Sequence, residues 1–276
     1  MTKKLYTALS LIFLTLVSIG FLYPVFIVLI NSLKLKFSIS QSPFSLPNKD
    51  TFIGLENYRE GIENTDFLSA FFWSLFVTVL SVVVIIVFCS MTAWYITRFR
   101  SKGNSLLYYA LTFSMIVPFQ MIMFTMSKLA NILGLDNPLG LVFLYLGFGA
   151  GLSVFMFSGF VKGVPITIEE AAAIDGCNTF MIFWRVVFPI LKPTAITVAI
   201  LNTMWIWNDY LLPFLIIGND YKTIPIAVQY LKGGYGSVDM GALMAILLLS
   251  IIPVIIFYLL GQKFIIKGVA QGAVKG

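Results

Sequence analysis

The sequence contains no histidine, so a His general base, a His-ligated metal and a His proton relay are all excluded. Cysteine is nearly absent. Cys89 sits inside an apolar run and Cys177 in a polar connection, which leaves no disulfide framework. Charge is scarce as well: 11% of the 276 residues are Asp, Glu, Lys or Arg, against about a quarter in a soluble domain. What fills the chain instead is apolar, 59% of residues with a mean hydropathy of +0.95. An ordinary water-soluble domain is excluded. The net charge of +6 does not require a nucleic-acid partner, because its distribution explains it.

That distribution is segmental. Lys4 and Lys34 bound 29 uncharged residues, Asp66 and Arg98 bound 31, and Lys102 and Lys128 bound 25. Asp136 and Lys162 bound another 25, and Asp239 and Lys263 bound 23. From Pro193 to Asn219 the only charge in 27 residues is Asp209. A bilayer core takes roughly 20 apolar residues of helix. The expected fold is therefore an all-α integral membrane protein with six transmembrane helices, at about 6–31, 69–97, 105–127, 138–161, 194–217 and 241–263. These spans form a single transmembrane domain over 1–276. The first run is too long for a signal-peptide core and lacks a small-x-small cleavage site, so it reads as a retained helix, bent by Pro24.

Basic residues set the direction. The N-terminus, the second and fourth connections and the tail together carry 11 Lys and Arg, and the other side carries 7. The positive-inside rule then places both termini in the cytoplasm. The outer connection from Asn31 to Phe67 mixes polar residues with Phe37, Ile39, Phe44, Leu46, Phe52 and Leu55, and reads as a small ordered excursion rather than a linker. Gly147 and Gly151, four apart in the fourth span, would permit close helix approach.

The fourth connection, about 162–193, is long for a cytoplasmic link. Thr167-Ile168-Glu169-Glu170 fits a capping box, with the Thr167 hydroxyl accepting from the Glu170 amide. Ala171, Ala172 and Ala173 add helix propensity with little bulk, and Gly176 after Asp175 stops the helix. A second helix restarts near Asn178 or Thr179, with Phe180, Phe183, Trp184, Val187 and Phe188 on its apolar side, and Pro189 and Pro193 end it. Such a smooth helix suits the close approach of a second protein. A solvated hairpin, or an amphipathic helix on the bilayer surface, fits the same spacing.

Glu169-Glu170-Ala171-Ala172-Ala173-Ile174-Asp175-Gly176, followed by Phe183, Val186 and Pro189, resembles the EAA loop of binding-protein-dependent ABC importers. More narrowly the chain is similar to permease subunits of the carbohydrate-uptake group, the maltose and oligosaccharide type. Leu55-Glu56-Asn57-Tyr58 after Phe44-Ser45-Leu46-Pro47, Pro118-Phe119-Gln120, Trp207-Asn208-Asp209 and the closing Lys267-Gly268 to Lys275-Gly276 extend the likeness over the whole chain. Cys177 replaces the usual small residue after the glycine with another small one.

The resemblance implies a cytoplasmic coupling helix seated on an ATPase dimer, with Glu169, Glu170, Ala171, Ala172, Asp175, Gly176 and Pro189 as its coupling residues. It also implies a second homologous permease, an extracellular or periplasmic sugar-binding protein, and a place in a prokaryotic plasma (inner) membrane. The tail Gly268–Gly276 would also reach the ATPase. ATP and Mg would be bound by the partner ATPase and no cofactor or metal by this chain, which carries no Gly-Lys-Ser or Gly-Lys-Thr of a P-loop. The chain is thus expected to be a transport subunit and not an enzyme.

Asp209 is the one ionisable residue expected within a span, and an intramembrane charge marks a functional candidate. Asn202, Trp205 and Asp209 fall on one helical face with Asn208 beside it. Amides, a carboxylate and an indole suit a sugar path, to which Gln120 is added. The same groups would equally serve as helix–helix hydrogen bonds or interface anchors. An ion-coupled secondary transporter is the rival class, though no internal repeat and a single intramembrane charge disfavour it. A polyol or glycerol-phosphate importer subunit is the alternative cargo reading. An intramembrane enzyme lacks an acid–base pair, and a non-transporting scaffold stays open.

Overall fold

The computed structural model describes residues 2–231 and 239–273, with side chains over 5–229, 231 and 239–263. Among these residues the regular structure is helical, apart from one isolated antiparallel bridge between Lys34 and Phe52. Five helices are long and apolar enough to cross a membrane, and a bent pair would make a sixth. The chain divides into two units, Met1–Ala70 with Ala227–Val254, and Phe71–Ile226 with Ile255–Gly276.

In the first unit α1 runs Thr2–Asn31 with Pro24 inside it, and from Leu5 to Phe26 its side chains are exposed. The connection that follows is ordered around α2 (Lys36–Gln41) and α3 (Glu56–Thr65). Asn57 clamps it, its amide donating to the Ser32 and Lys34 carbonyls at 2.8 Å each. Ile39 is buried there, whereas Phe37, Phe44, Leu46, Phe52 and Leu55 are exposed. Lys34, counted from the sequence as an outer charge, is fully buried and donates to the Ser42 carbonyl at 3.0 Å. Burial without a carboxylate partner holds its ammonium pKa below the usual lysine value.

The second unit holds most of α4 (Phe67–Arg98), then α5 (Lys102–Ser114) and α6 (Phe119–Ile132). The continuous helix expected over 105–127 is corrected here: α5 and α6 meet at 109° across residues 115–118. Pro118 is the cause. It sits at ψ 132° as the N-cap of α6, and a proline disfavours helical geometry in the residue before it. Next, α7 runs Pro138–Val161, opened by Asn137, whose side chain accepts from the Leu139 and Gly140 amides. Two short helices follow, α8 (Ile166–Ile174) and α9 (Thr179–Ile182).

From α9 the chain continues through a π turn, Phe183–Val187, directly into α10 (Phe188–Asn208). A span beginning at 194 and ending at 217 is therefore also corrected. Pro189 and Pro193 do not end the helix. The π turn stops two residues before Pro189, so the ring falls where the hydrogen-bond ladder is already shifted, by the Phe188 amide bonding the Phe183 carbonyl, and the helix runs on through it. The helix ends at Asn208, and α11 (Leu211–Ile216) and α12 (Ile224–Tyr230) follow. The last helix, α13 (Met240–Ala273), carries Pro253, and the expected ATPase-reaching tail lies outside the described residues from Val274 on.

The core of the second unit joins α4, α7, the π turn and α10 through Ile85, Leu141, Tyr145, Phe157, Phe183, Val187 and Leu191, each at most 1% exposed. Of the expected glycine pair, Gly151 packs tightly: a Cβ there would lie 2.6 Å from the Leu111 carbonyl oxygen in α5. Gly147 faces open space. Gly149 is another close approach, where a Cβ would lie 2.7 Å from Ile85 and 2.9 Å from Asn202.

Candidate functional site

The long connection between α7 and α10 is built from its ends inward. Pro165 itself is extended, at ψ 130°, as the N-cap residue, and α8 begins at Ile166. This corrects the expected Thr167 capping box. Thr167 already lies inside the first turn, and no side chain caps the helix. At the other end Gly176 adopts φ +84°, with the Cys177 amide on the Ala172 carbonyl and the Gly176 amide on the Ala173 carbonyl, 3.0 Å each. That is a Schellman stop, and it requires a left-handed residue. Asn178 then caps α9 by accepting from the Met181 amide at 2.9 Å.

Within α8 the side chains divide by face. Glu169 is 8% exposed and Ala172 9%, both turned inward. The Glu169 carboxylate accepts from Arg98 at the end of α4, Nη2 to Oε1 at 2.6 Å and Nε to the same oxygen at 2.8 Å. Its other oxygen accepts from Trp94 Nε1 at 2.9 Å, while Arg98 Nη2 also donates to the Val164 carbonyl at 2.9 Å. Trp94 packs on Phe183 of the π turn at 5.4 Å between centroids. One buried carboxylate thus ties α8 to α4 next to the wall that carries α10. The opposite face is exposed: Glu170, Ala171, Ala173, Asp175, Gly176 and, at 87%, Ile174. Pro189 is exposed as well.

The second group gathers where α10 ends. Asp209 is half-buried at ψ 125°, after the last helical residue rather than within a span. Its Oδ2 accepts from the Tyr145 hydroxyl at 3.0 Å and its Oδ1 from the Leu211 amide at 3.0 Å, which opens α11. Tyr145, in the middle of α7 and fully buried, packs edge-on against Trp205 at 5.4 Å. Sequence reading missed Tyr145, although a tyrosine hydroxyl deep in an apolar run needs a partner.

Asn202 is 4% exposed and donates to the Val198 carbonyl at 2.9 Å and to Ser153 Oγ of α7 at 3.3 Å. It bridges two helices. Trp205 keeps 41% exposure, Asn208 is exposed with its amide on the Met204 carbonyl, and Gln120 is exposed in the first turn of α6. The five candidates thus separate into a bridging pair, Asn202 and Asp209, and an exposed set, Gln120, Trp205 and Asn208.

Residues 86–271 match the family of binding-protein-dependent transport system inner membrane components. The chain is 39% identical, over 99% of its length and 97% of the relative's, to a probable starch degradation products transport system permease protein of Thermoanaerobacterium thermosulfurigenes. It is 36% identical to a multiple sugar-binding transport system permease protein of Streptococcus mutans, covering 96% and 95% of the two chains. Among solved structures it is similar, at 25% identity and a TM-score of 0.79, to a chain of a bacterial ABC transporter that imports alginate. That likeness covers 95% of this chain and 97% of that one.

Proposed function

The chain belongs to the family of binding-protein-dependent transport system inner membrane components, and from that membership we propose that it is a transmembrane permease subunit of an ATP-driven sugar importer. In this reading residues 1–276 serve as one transmembrane domain that crosses a prokaryotic plasma membrane six times, the bent α5–α6 pair forming the third span. Both termini are cytoplasmic. A second homologous permease completes the path, a binding protein delivers sugar to the outer face, and a cytoplasmic ATPase dimer binds the ATP and Mg. Starch products and multiple sugars in the names of the relatives support a carbohydrate cargo.

The observation that carries the proposal is the two-faced helix α8. Its outward face, Glu170, Ala171, Ala173, Ile174, Asp175 and Gly176, is small, smooth and unpartnered by the second unit's core. Its inward face is fixed by Glu169 to Arg98 and Trp94. Movement of a partner seated on the outer face therefore reaches α4 through a buried ion pair and reaches α10 through the aromatic wall. Glu169 and Ala172 act as positioning residues, and the exposed residues make the contact, with Pro189 beside the π turn. Exposed Trp205, Asn208 and Gln120 line the sugar path, while Asn202 and Asp209 hold its helices.

Reconstitution tests this. With its co-purified partners in proteoliposomes, the chain is expected to take up a labelled maltooligosaccharide only with ATP inside and binding protein outside. Uptake that persists without ATP, or that follows an imposed ion gradient, would contradict the proposal.

A further inference from the structure

Where α4 and α7 end, a pocket of about 160 Å³ opens beside the first two turns of α5. Two cations, Arg100 and Lys162, line it together with the hydroxyls of Ser105, Tyr108, Tyr109 and Ser158, and no carboxylate does. Neither cation has an acidic partner among the described residues, where the ion pairs join Lys36 to Asp239, Arg59 to Glu63 and Arg98 to Glu169. The Lys162 ammonium lies instead 5.7 Å from the centre of the Tyr108 ring.

Ser158 is 1% exposed, and its Oγ has no hydrogen-bond partner. Thr97 on the same wall shows the ordinary alternative, its hydroxyl returning to the Ala93 carbonyl at 2.7 Å. A buried hydroxyl left unpaired is costly, so an occupant offering acceptor oxygens meets a need that the protein itself leaves open. Tyr109 in its wall, and Phe99 and Leu106, the chain neighbours of Arg100 and Ser105, are half-exposed or more.

We propose that this pocket is a binding site for a phosphoryl anion, held by Arg100 and Lys162 and hydrogen-bonded by Ser158. A guanidinium grips phosphate oxygens as a fork and an ammonium adds a point charge. In a chain with several membrane-crossing helices the nearest source is the phosphodiester of a lipid headgroup, with its acyl chains along Phe99 and Leu106. Free inorganic phosphate shares the chemistry and is the other source.

Native mass spectrometry of the full chain in mild detergent, titrated with phosphatidylglycerol, reads the site directly. The double variant Arg100→Gln/Lys162→Gln is expected to bind the lipid roughly 10–30-fold more weakly than the wild type, from about one lost attraction per cation. Ser158→Ala weakens binding by a few-fold, on the scale of one hydrogen bond at about 1 kcal/mol, and this small change keeps the test valid if the double variant fails to insert. Lys192→Gln, an exposed cation outside the pocket, leaves binding unchanged. Equal losses in Lys192→Gln, or full binding by both pocket variants, would overturn the site. Displacement of the lipid by millimolar inorganic phosphate assigns the pocket to a free anion, and resistance to displacement assigns it to a lipid.

Discussion

Glu169 and Asp209 are both carboxylates at the edge of the membrane-crossing helices, and they are held in opposite ways. Glu169 is matched by a full charge, with both oxygens occupied by Arg98 and Trp94 and little room to change. Asp209 is matched by neutral donors only, a tyrosine hydroxyl and a backbone amide, at a point where the helix has already stopped. A buried ion pair with one geometry makes a rigid connection, because separating it strands a charge. Hydrogen bonds from neutral donors to a carboxylate are worth about 1.5–3 kcal/mol each, less than the cost of stranding a charge by breaking a buried ion pair. If the chain couples as proposed, the loop end transmits a displacement and the Asp209 end accommodates one.

Breaking the rigid member gives the largest effect. Glu169→Ala leaves the largely buried Arg98 guanidinium without a counter-charge, holding only the Val164 carbonyl, at a cost of up to about 3–5 kcal/mol. ATPase stimulation in the reconstituted importer should be lost, with lowered membrane abundance. The double variant Arg98→Met/Glu169→Leu should restore abundance, since apolar replacement of a whole pair is often neutral, but not coupling. Stimulation of both variants at the wild-type level would show that the pair transmits nothing.

Next comes the turn beside it. Gly176→Val meets open space but must hold φ +84°, so its effect is backbone strain of about 1–2 kcal/mol or somewhat more for a branched side chain. The variant should insert normally and couple poorly, judged by membrane abundance against stimulated ATPase. Smallest in its effect on coupling is Tyr145→Phe, which removes one hydrogen bond to the Asp209 carboxylate, worth about 1.5–3 kcal/mol of stability. Thermal unfolding should show Tyr145→Phe and Asp209→Asn adding to less than their sum if the two groups interact. Full additivity would separate them.

How much of this was legible in the sequence depends on how local the cause is. The charge-free runs contain the long helices because burying or spanning requires them to be uncharged, and Gly176 and Asn178 announce a stop and a restart through their own backbone preferences. Other local signals were present but outweighed. Val117-Pro118 and Val164-Pro165 each mark an extended residue, and they decide where α6 and α8 begin in place of a continuous span and a Thr167 cap. The π turn that carries the chain through Pro189 has no compositional mark. Nor does the pairing of Arg98 with Glu169 across 71 positions, which turns a residue expected on the contact face into an internal anchor. Tyr145 and Asp209, 64 positions apart, meet for the same non-local reason.

Coupling through the outer face of α8 is the central claim, and photo-crosslinking within the assembled importer tests it most directly. A photoreactive residue at Ile174, 87% exposed, should form an adduct with the ATPase whose yield changes when ATP binds, while one at buried Ala172 should not. An intact, co-purifying complex in which Ile174 gives no ATPase adduct, or in which both positions react alike, would contradict the account.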